Sequence, residues 1–322
     1  MDWTARQLRA IVTIAERRNI SHAAVELELT QPTVSRMLSR IEQDLGTPLF
    51  RRDARGASPT EAGVRFAAHA AEVLRTLDDA TDEIRSFDGR LVGKICVAMP
   101  DTIGHTLFIP LIDRFAVQHP DVELRVMSSH PNGIPLVLMA GDADVGVVSS
   151  AHKHNGLIIR PLAEEQLHLV GAGPIASGRP RPMMRRTPRP PVVESITLDE
   201  VADYPLVLPA IQPGLRRIID AAFAQRQLRP DVVLEVDAED ALVDLVGSGR
   251  AHSIMSFAGV QRFVAGGSLQ ARRIVDPPIQ RLLSTALPEG RPTTRLMTAV
   301  EQAIHILAHE LQDQAQWAPW SH

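Results

Sequence analysis

The chain has 322 residues, with 34 Lys plus Arg against 38 Asp plus Glu and a formal charge of −4, which as a bulk figure argues against a polybasic nucleic-acid binder. A hydrophobic fraction of 44% with 22% charged residues is globular, and the length suits two or three domains. Apolar runs fall short of the ~18 residues of a membrane span, the start of the chain (Asp2, Arg6, Arg9) lacks a secretory pattern, and the single cysteine, Cys96, excludes an internal disulfide or a multi-cysteine metal site; a cytoplasmic protein with no membrane partner and no cofactor is expected.

In chain order, Leu8, Ile11, Val12 and Ala15 form an amphipathic helical stripe. Ser21 is a candidate N-cap for a second helix through Ala23, Ala24 and Leu27. Thr30 caps a third with Pro32 in its first turn, and Val34, Leu38, Ile41 and Leu45 make its core stripe, leaving Gln31, Ser35 and Arg36 on other faces before Gly46 stops it. Two short helices and a third with polar residues near its start is helix-turn-helix organisation. Residues 48–59 then fit a small β-hairpin, or wing. Positions 1–65 hold ten arginines against eight acids, a balance of only +2, but Arg36, Arg40, Arg51, Arg52 and Arg55 gather on or after the third helix.

Thr60 caps a long helix to about Phe87 in which Ala67, Ala70, Leu74, Leu77, Thr81 and Ile84 recur at spacings of three and four. This heptad seam predicts pairing with a second copy; packing on its own domain is the alternative. Beyond Gly89 strands and helices alternate. Strands are predicted over 94–99 (with Cys96 buried), 122–128, 144–148, 167–170, 206–208, 232–236, 253–255 and 281–287, and helices over 106–118, 215–227, 240–247 and 293–316. Such alternation predicts an α/β region with a mostly parallel sheet and a ligand cleft at strand ends.

Gln31-Pro32-Thr33-Val34-Ser35-Arg36, then Ile41-Glu42-x-x-Leu45-Gly46-Thr47-Pro48-Leu49-Phe50-Arg51-Arg52 and Thr60-Glu61-Ala62-Gly63, closely resemble the LysR-type transcriptional regulators. The resemblance continues through Ile109-Pro110-Leu111-Ile112, His119-Pro120-Asp121-Val122, Gly141-Asp142-Ala143-Asp144 and Leu198-Asp199-Glu200, and so covers nearly the whole chain. Residues 209–217 and 234–238 look most like the branch of nitrogen-assimilation control regulators.

The resemblance implies an N-terminal winged helix-turn-helix (1–62), a linker helix for dimerisation (63–90) and a C-terminal two-lobed, periplasmic-binding-protein-like α/β effector domain (91–322). Lobe I is expected over about 92–163 and 269–322, and lobe II over about 164–268. Its partners would be promoter DNA, a small-molecule effector, a second copy through the linker helix, a homotetramer, and RNA polymerase. Carried over residue by residue, Gln31, Pro32, Ser35 and Arg36 would meet base edges and adjacent backbone, with Arg36 able to donate twice to guanine. Thr33, Arg51, Arg52 and Arg55 would serve as phosphate contacts, and Arg40 would meet DNA too; a solvated surface role is the alternative for each arginine.

Cleft positions are expected at Pro100, Asp101 and Thr102; Ser128, Ser129 and His130; Ser149 and Ser150; Gln212, Pro213 and Gly214; and Ser256 and Phe257. Hydroxyls and helix N-termini suit a polar or anionic ligand. Two positions depart from the family pattern: Ser256 stands where Pro is frequent, and Asp101 where a hydroxyl is, which puts a simple carboxylate-binding pattern in doubt and leaves recognition of an amine by Asp101 as an alternative. An Arg/Pro-rich stretch at 177–191 reads as an extended loop that could supply a second contact.

Two other classes are weaker. For an enzyme, Gly171-Ala172-Gly173 lacks the third glycine of a dinucleotide fingerprint, and His305 and His309, four apart on a helix, lack a further ligand. A pure solute-binding protein fits the C-terminal two-thirds but not the helix-turn-helix.

Overall fold

The computed structural model describes residues 2–53, 56–86, 90–149, 154–173, 194–210, 214–315 and 317–319. Arg55, Ser150, Gln212, Pro213 and the 177–191 stretch lie outside the described residues. The chain divides into two compact units, Met1–Gly93 and Lys94–His322.

In the first unit, α1 (Ala5–Arg17), α2 (Ile20–Glu26) and α3 (Gln31–Leu45) precede a hairpin of β1 (Phe50–Asp53) and β2 (Gly56–Pro59), and α4 (Glu61–Arg85) closes it. Local chemistry sets each start. Thr4 and Gln7 form a capping box on α1. The N-cap of α2 is Asn19 and not Ser21, because the Asn19 carbonyl oxygen reaches two amides at once, accepting from Ser21 N (2.9 Å) and His22 N (3.1 Å). Thr30 does precede α3, but its hydroxyl bonds that of Thr33 (2.8 Å) and caps no amide. Gly46 ends α3 in the left-handed region, at φ 67°. Helices this short are marginal alone; what holds them is a shared core of Ile11, Ile14, Val34, Leu38, Ile41 and Leu49, all buried, each contributing roughly 1.5–3 kcal/mol.

The seam of α4 divides. Ala67, Ala70 and Leu74 are buried, the last two in a cluster with Leu8 that Trp3, Val12 and Phe66 flank, whereas Leu77 and Ile84 are 50% and 72% exposed. Packing on its own domain thus accounts for the first half of the seam only.

The second unit is built on β3 (Gly93–Met99), β4 (Val122–Ser128), β5 (Val145–Ser149), β6 (Leu157–Ala172), β7 (Glu194–Thr197), β8 (Leu206–Leu208), β9 (Val232–Glu235), β10 (Ser253–Ser256), β11 (Leu269–Val275), β12 (Gln280–Pro288) and β13 (Trp317–Pro319). Its helices are α5 (Asp101–Gln118), α6 (Ile134–Ala140), α7 (Leu198–Val201), α8 (Leu215–Gln225), α9 (Glu239–Gly247), α10 (Phe257–Gly266), α11 (Arg295–Glu310) and α12 (Gln312–Ala315).

The main sheet runs β4-β3-β5-β12-β6-β11-β7, with β10 and β13 also on β6, and β8 pairs β9 apart from it. The expected mostly parallel sheet is in fact mixed. Parallel pairs are β3 with β5, β7 with β11 and β8 with β9, but β6 meets β10, β11, β12 and β13 antiparallel. The cause is the path of the chain: β6 serves two centres of packing, its first part paired with β12 and its last residues with β10 and β11, and the chain returns through β11 and β12 in the opposite sense. One centre holds Ile134, Leu138, Val148 and Leu157; on the far part of β6, Leu167 and Leu169 pack with Ile219 and Phe223, and Val170 with Val246 and Val260. Cys96 is buried in β3 as expected, and burial pushes its thiol up.

Candidate functional site

The recognition surface follows from the core stripe of α3. Burying Val34, Leu38 and Ile41 turns Gln31, Pro32, Arg36 and Arg40 to solvent, with Thr33 and Ser35 half-buried beside them. Ser39 and Gln43 share that exposed face; sequence reasoning passed over them, although their spacing from Arg36 is the signal that finds them. Arg36 and Arg40 form no ion pair or hydrogen bond among the described residues, so their donors face outward. Two other arginines of the unit are balanced internally, Arg9 by Asp78 (3.7 Å) and Arg17 by Glu26 (2.5 Å). Arg36 and Arg40 put outward positive charge on α3, and on the wing Arg51 is exposed and Arg52 follows it on β1.

The wing is clamped to α3 by Glu42, whose Oε1 accepts from Leu49 N (2.7 Å) and Phe50 N (3.1 Å). At its other strand Gly56, at φ 134°, lies against the Arg18 carbonyl, which accepts from Ala57 N (2.8 Å). A Cβ on Gly56 would stand 2.4 Å from that oxygen, so a side chain is excluded. The Thr60-to-Gly63 motif has a similar logic. The Leu49 carbonyl accepts from Thr60 N (2.8 Å) and Thr60 Oγ1 (3.1 Å), and a Cβ on Gly63 would meet it at 1.9 Å.

In the second unit, a cavity of about 270 Å³ opens at strand and helix ends. Of the expected cleft residues, the structure brings Pro100, Asp101, Thr102, Ser129, His130, Ser149, Gly214 and Ser256 to its wall. Two others are not in the wall itself. Ser128 is exposed and donates its hydroxyl to the wall residue Asp101 at Oδ1, and Phe257, the first residue of α10, is buried against His168 with ring centroids 5.4 Å apart.

Sequence reasoning missed the charged groups Arg216, Asp237, Glu239 and Arg281 and the apolar floor of Leu242, Ile254 and Met255. Arg216 is buried and paired: Nε donates to both oxygens of Asp220 (3.0 and 3.1 Å), and Nη1 to Pro209 O (3.0 Å) and Glu235 Oε1 (2.9 Å). Arg281 forms an ion pair with the wholly buried Glu165, whose other oxygen accepts from the Trp317 indole (3.0 Å). Glu239 is pushed up to about 6, first by burial and then by Asp101. Outside the cavity, His305 meets the Thr285 hydroxyl (3.3 Å) beside Glu301, and burial lowers its pKa.

Comparison with known proteins matches both units. The family described as "Bacterial regulatory helix-turn-helix protein, lysR family" matches residues 5–64, and "LysR substrate binding domain" matches 88–309. The HTH-type transcriptional regulator YybE of Bacillus subtilis (strain 168) is 25% identical over 312 residues, covering 96% of this chain and 99% of its own. The nitrogen assimilation regulatory protein nac of Klebsiella aerogenes is 25% identical over 280 residues, 87% of each chain. Among solved structures, full-length CbnR complexed with its target DNA superposes with a TM-score of 0.67 at 22% identity, covering 95% of this chain and 100% of that one. A full-length OxyR variant from Pseudomonas aeruginosa gives 0.67 at 22% identity, covering 95% and 96%. With both models of one family matched, the second over more than half of the chain, the chain belongs to the LysR family: it is a transcriptional regulator and not an enzyme, joining a helix-turn-helix DNA-binding domain to a C-terminal effector-binding domain.

Proposed function

We propose that the exposed face of α3 reads promoter DNA in the major groove while the wing grips the backbone, and that an effector held in the cavity of the second unit alters that binding. The outward guanidinium of Arg36, which has no partner among the described residues, carries the reading. Gln31, Pro32, Ser35 and Arg36 are assigned to base edges, with Arg36 donating twice to a guanine, and Thr33, Arg40, Arg51, Arg52 and Arg55 to phosphates. The half-site geometry needs two such faces, and the exposed part of the α4 seam, Leu77, Thr81 and Ile84, supports pairing of two copies through this helix; tetramers, and contact with RNA polymerase, would build on that dimer.

Fluorescence anisotropy on the promoter beside the protein's own gene tests the reading. Arg36→Ala is expected to weaken specific binding by about 1–3 kcal/mol and non-specific binding much less. Equal losses on both DNAs would reassign Arg36 to phosphate, and the lack of any salt-sensitive, sequence-dependent binding would end the proposal.

A further inference from the structure

The wall of the cavity carries an asymmetry of charge that says what kind of effector fits it. Its two arginines are matched within the chain, Arg216 by Asp220 and Glu235 and Arg281 by Glu165. Its three acids have no such match: among the described residues Asp101, Asp237 and Glu239 form no ion pair, and Arg281 and Arg262 act on Glu239 only from beyond ion-pair distance. Asp101 takes only the Ser128 hydroxyl and Asp237 only the Ala210 amide (2.9 Å).

Two helix ends at the wall are already occupied by acids, whereas that of α8, at Gly214 and Leu215, has none in its first turn. The first turn of α5 contains Asp101 itself. The first turn of α10 is capped by the Ser256 hydroxyl, which accepts from Gly259 N (3.3 Å), and the Glu239 carboxylate lies against it, 3.4 Å from where a Gly259 Cβ would stand. Negative side chains at these two ends use the positive field that an anionic ligand would otherwise take. At the α5 and α10 ends an incoming carboxylate would meet like charge, and an incoming cation would relieve it.

We infer that the effector is a cation, a primary amine or guanidinium compound whose head lies between Asp101 and Glu239 and whose stem covers Leu242, Ile254 and Met255. This inference rests on the proposal that the cavity is the effector site. Asp101 opens α5, which follows β3, and Glu239 opens α9, which follows β9, so the two carboxylates come from different packing centres of the unit. A cation shared between them draws those centres together, which gives binding a mechanical consequence.

The test is a thermal-shift series on the full chain with putrescine, agmatine, L-lysine and L-arginine set against succinate and L-glutamate at matched ionic strength. At least one amine is expected to raise the Tm by several degrees at saturation, and the dicarboxylates to leave it unchanged. Asp101→Asn and Glu239→Gln, which keep side-chain size, are each expected to weaken the amine at least tenfold. Ser149→Trp, or Ala210→Trp if the first does not fold, fills the cavity and should abolish the shift. Stabilisation by the dicarboxylates alone, no response to any amine, or an amine response indifferent to both carboxamide variants overturns the cationic assignment and leaves the cavity reading standing. A ligand response that survives both tryptophan variants overturns the cavity reading itself.

Discussion

Removing the Glu42 side chain separates the wing from the recognition helix without touching either surface. Its Oε1 accepts from two consecutive amides, Leu49 N at 2.7 Å and Phe50 N at 3.1 Å, and both residues are buried in the core. Hydrogen bonds to an ionised acceptor contribute about 1.5–3 kcal/mol each. The second bond is longer and Glu42 is half-buried, so Glu42→Ala should cost about 2–4 kcal/mol for the pair. Glu42→Gln keeps an acceptor oxygen but loses the charge, and should cost roughly half as much.

Neither loss reaches the 5–15 kcal/mol of a typical domain. The first expected effect is therefore local opening, read as amide hydrogen exchange at Leu49 and Phe50 that is faster by roughly 30- to 700-fold in Glu42→Ala. DNA affinity should fall with it, since the phosphate contacts proposed for the wing lose their fixed distance from α3. Unchanged exchange at both amides in Glu42→Ala would refute the clamp.

Four further outcomes follow from the same geometry. Gly63→Ala discriminates two effects of opposite sign, because helix propensity alone would stabilise by about 1 kcal/mol while the 1.9 Å approach of a Cβ to Leu49 O should destabilise by about 1–3 kcal/mol or more; a lowered Tm of the first unit is expected, and a raised one refutes the close packing. Glu165→Leu strands the buried Arg281 and should cost about 3–5 kcal/mol in urea unfolding, most of it recovered when Arg281→Met is added; no recovery would mean that the ion pair is not the source of the loss. Glu239, held near 6 against an ordinary 4.5, opposes folding once ionised, a penalty absent below the lower value and growing as pH rises between the two. Glu239→Gln should thus gain up to about 2 kcal/mol over the parent at about pH 7.5 and much less at about pH 4.5, and equal urea midpoint differences at both would contradict this. Leu77→Glu with Ile84→Glu should leave the fold intact and lower the sedimentation coefficient to that of a smaller assembly, an unchanged value placing dimer contacts elsewhere.

The helix-turn-helix was legible because local signals agree there: the apolar period, a first-turn proline and a glycine stop belong to one helix, as at Pro32 and Gly46. Where two polar residues competed for one role, as Asn19 and Ser21 did, spacing alone did not decide, and reach to two amides did. The α5 start at Asp101, earlier than the predicted Thr106, was hidden because the helix buries Ile103, Gly104, Thr106 and Leu107 on several sides and so shows little amphipathic period. The expected wall residues of the cavity came from strand ends; its charge balance did not. Arg281 meets Glu165, and Arg160 meets Glu301, across long stretches of chain, and no local pattern in the sequence carries such pairings. Without the first of them Arg281 looks available to an anion.

The Trp317 indole donates to Glu165, which holds Arg281, and Arg281 forms part of the cavity wall. An event at that wall is thus two contacts away from a fluorophore. Of the three tryptophans in the chain, Trp3 packs on Phe66 in the first unit and Trp320 follows in the terminal residues. A variant with both replaced by Phe would carry its own optical gauge: rearrangement around Arg281 would change the polarity at the indole N–H and shift the emission, with no dye attached and no DNA present.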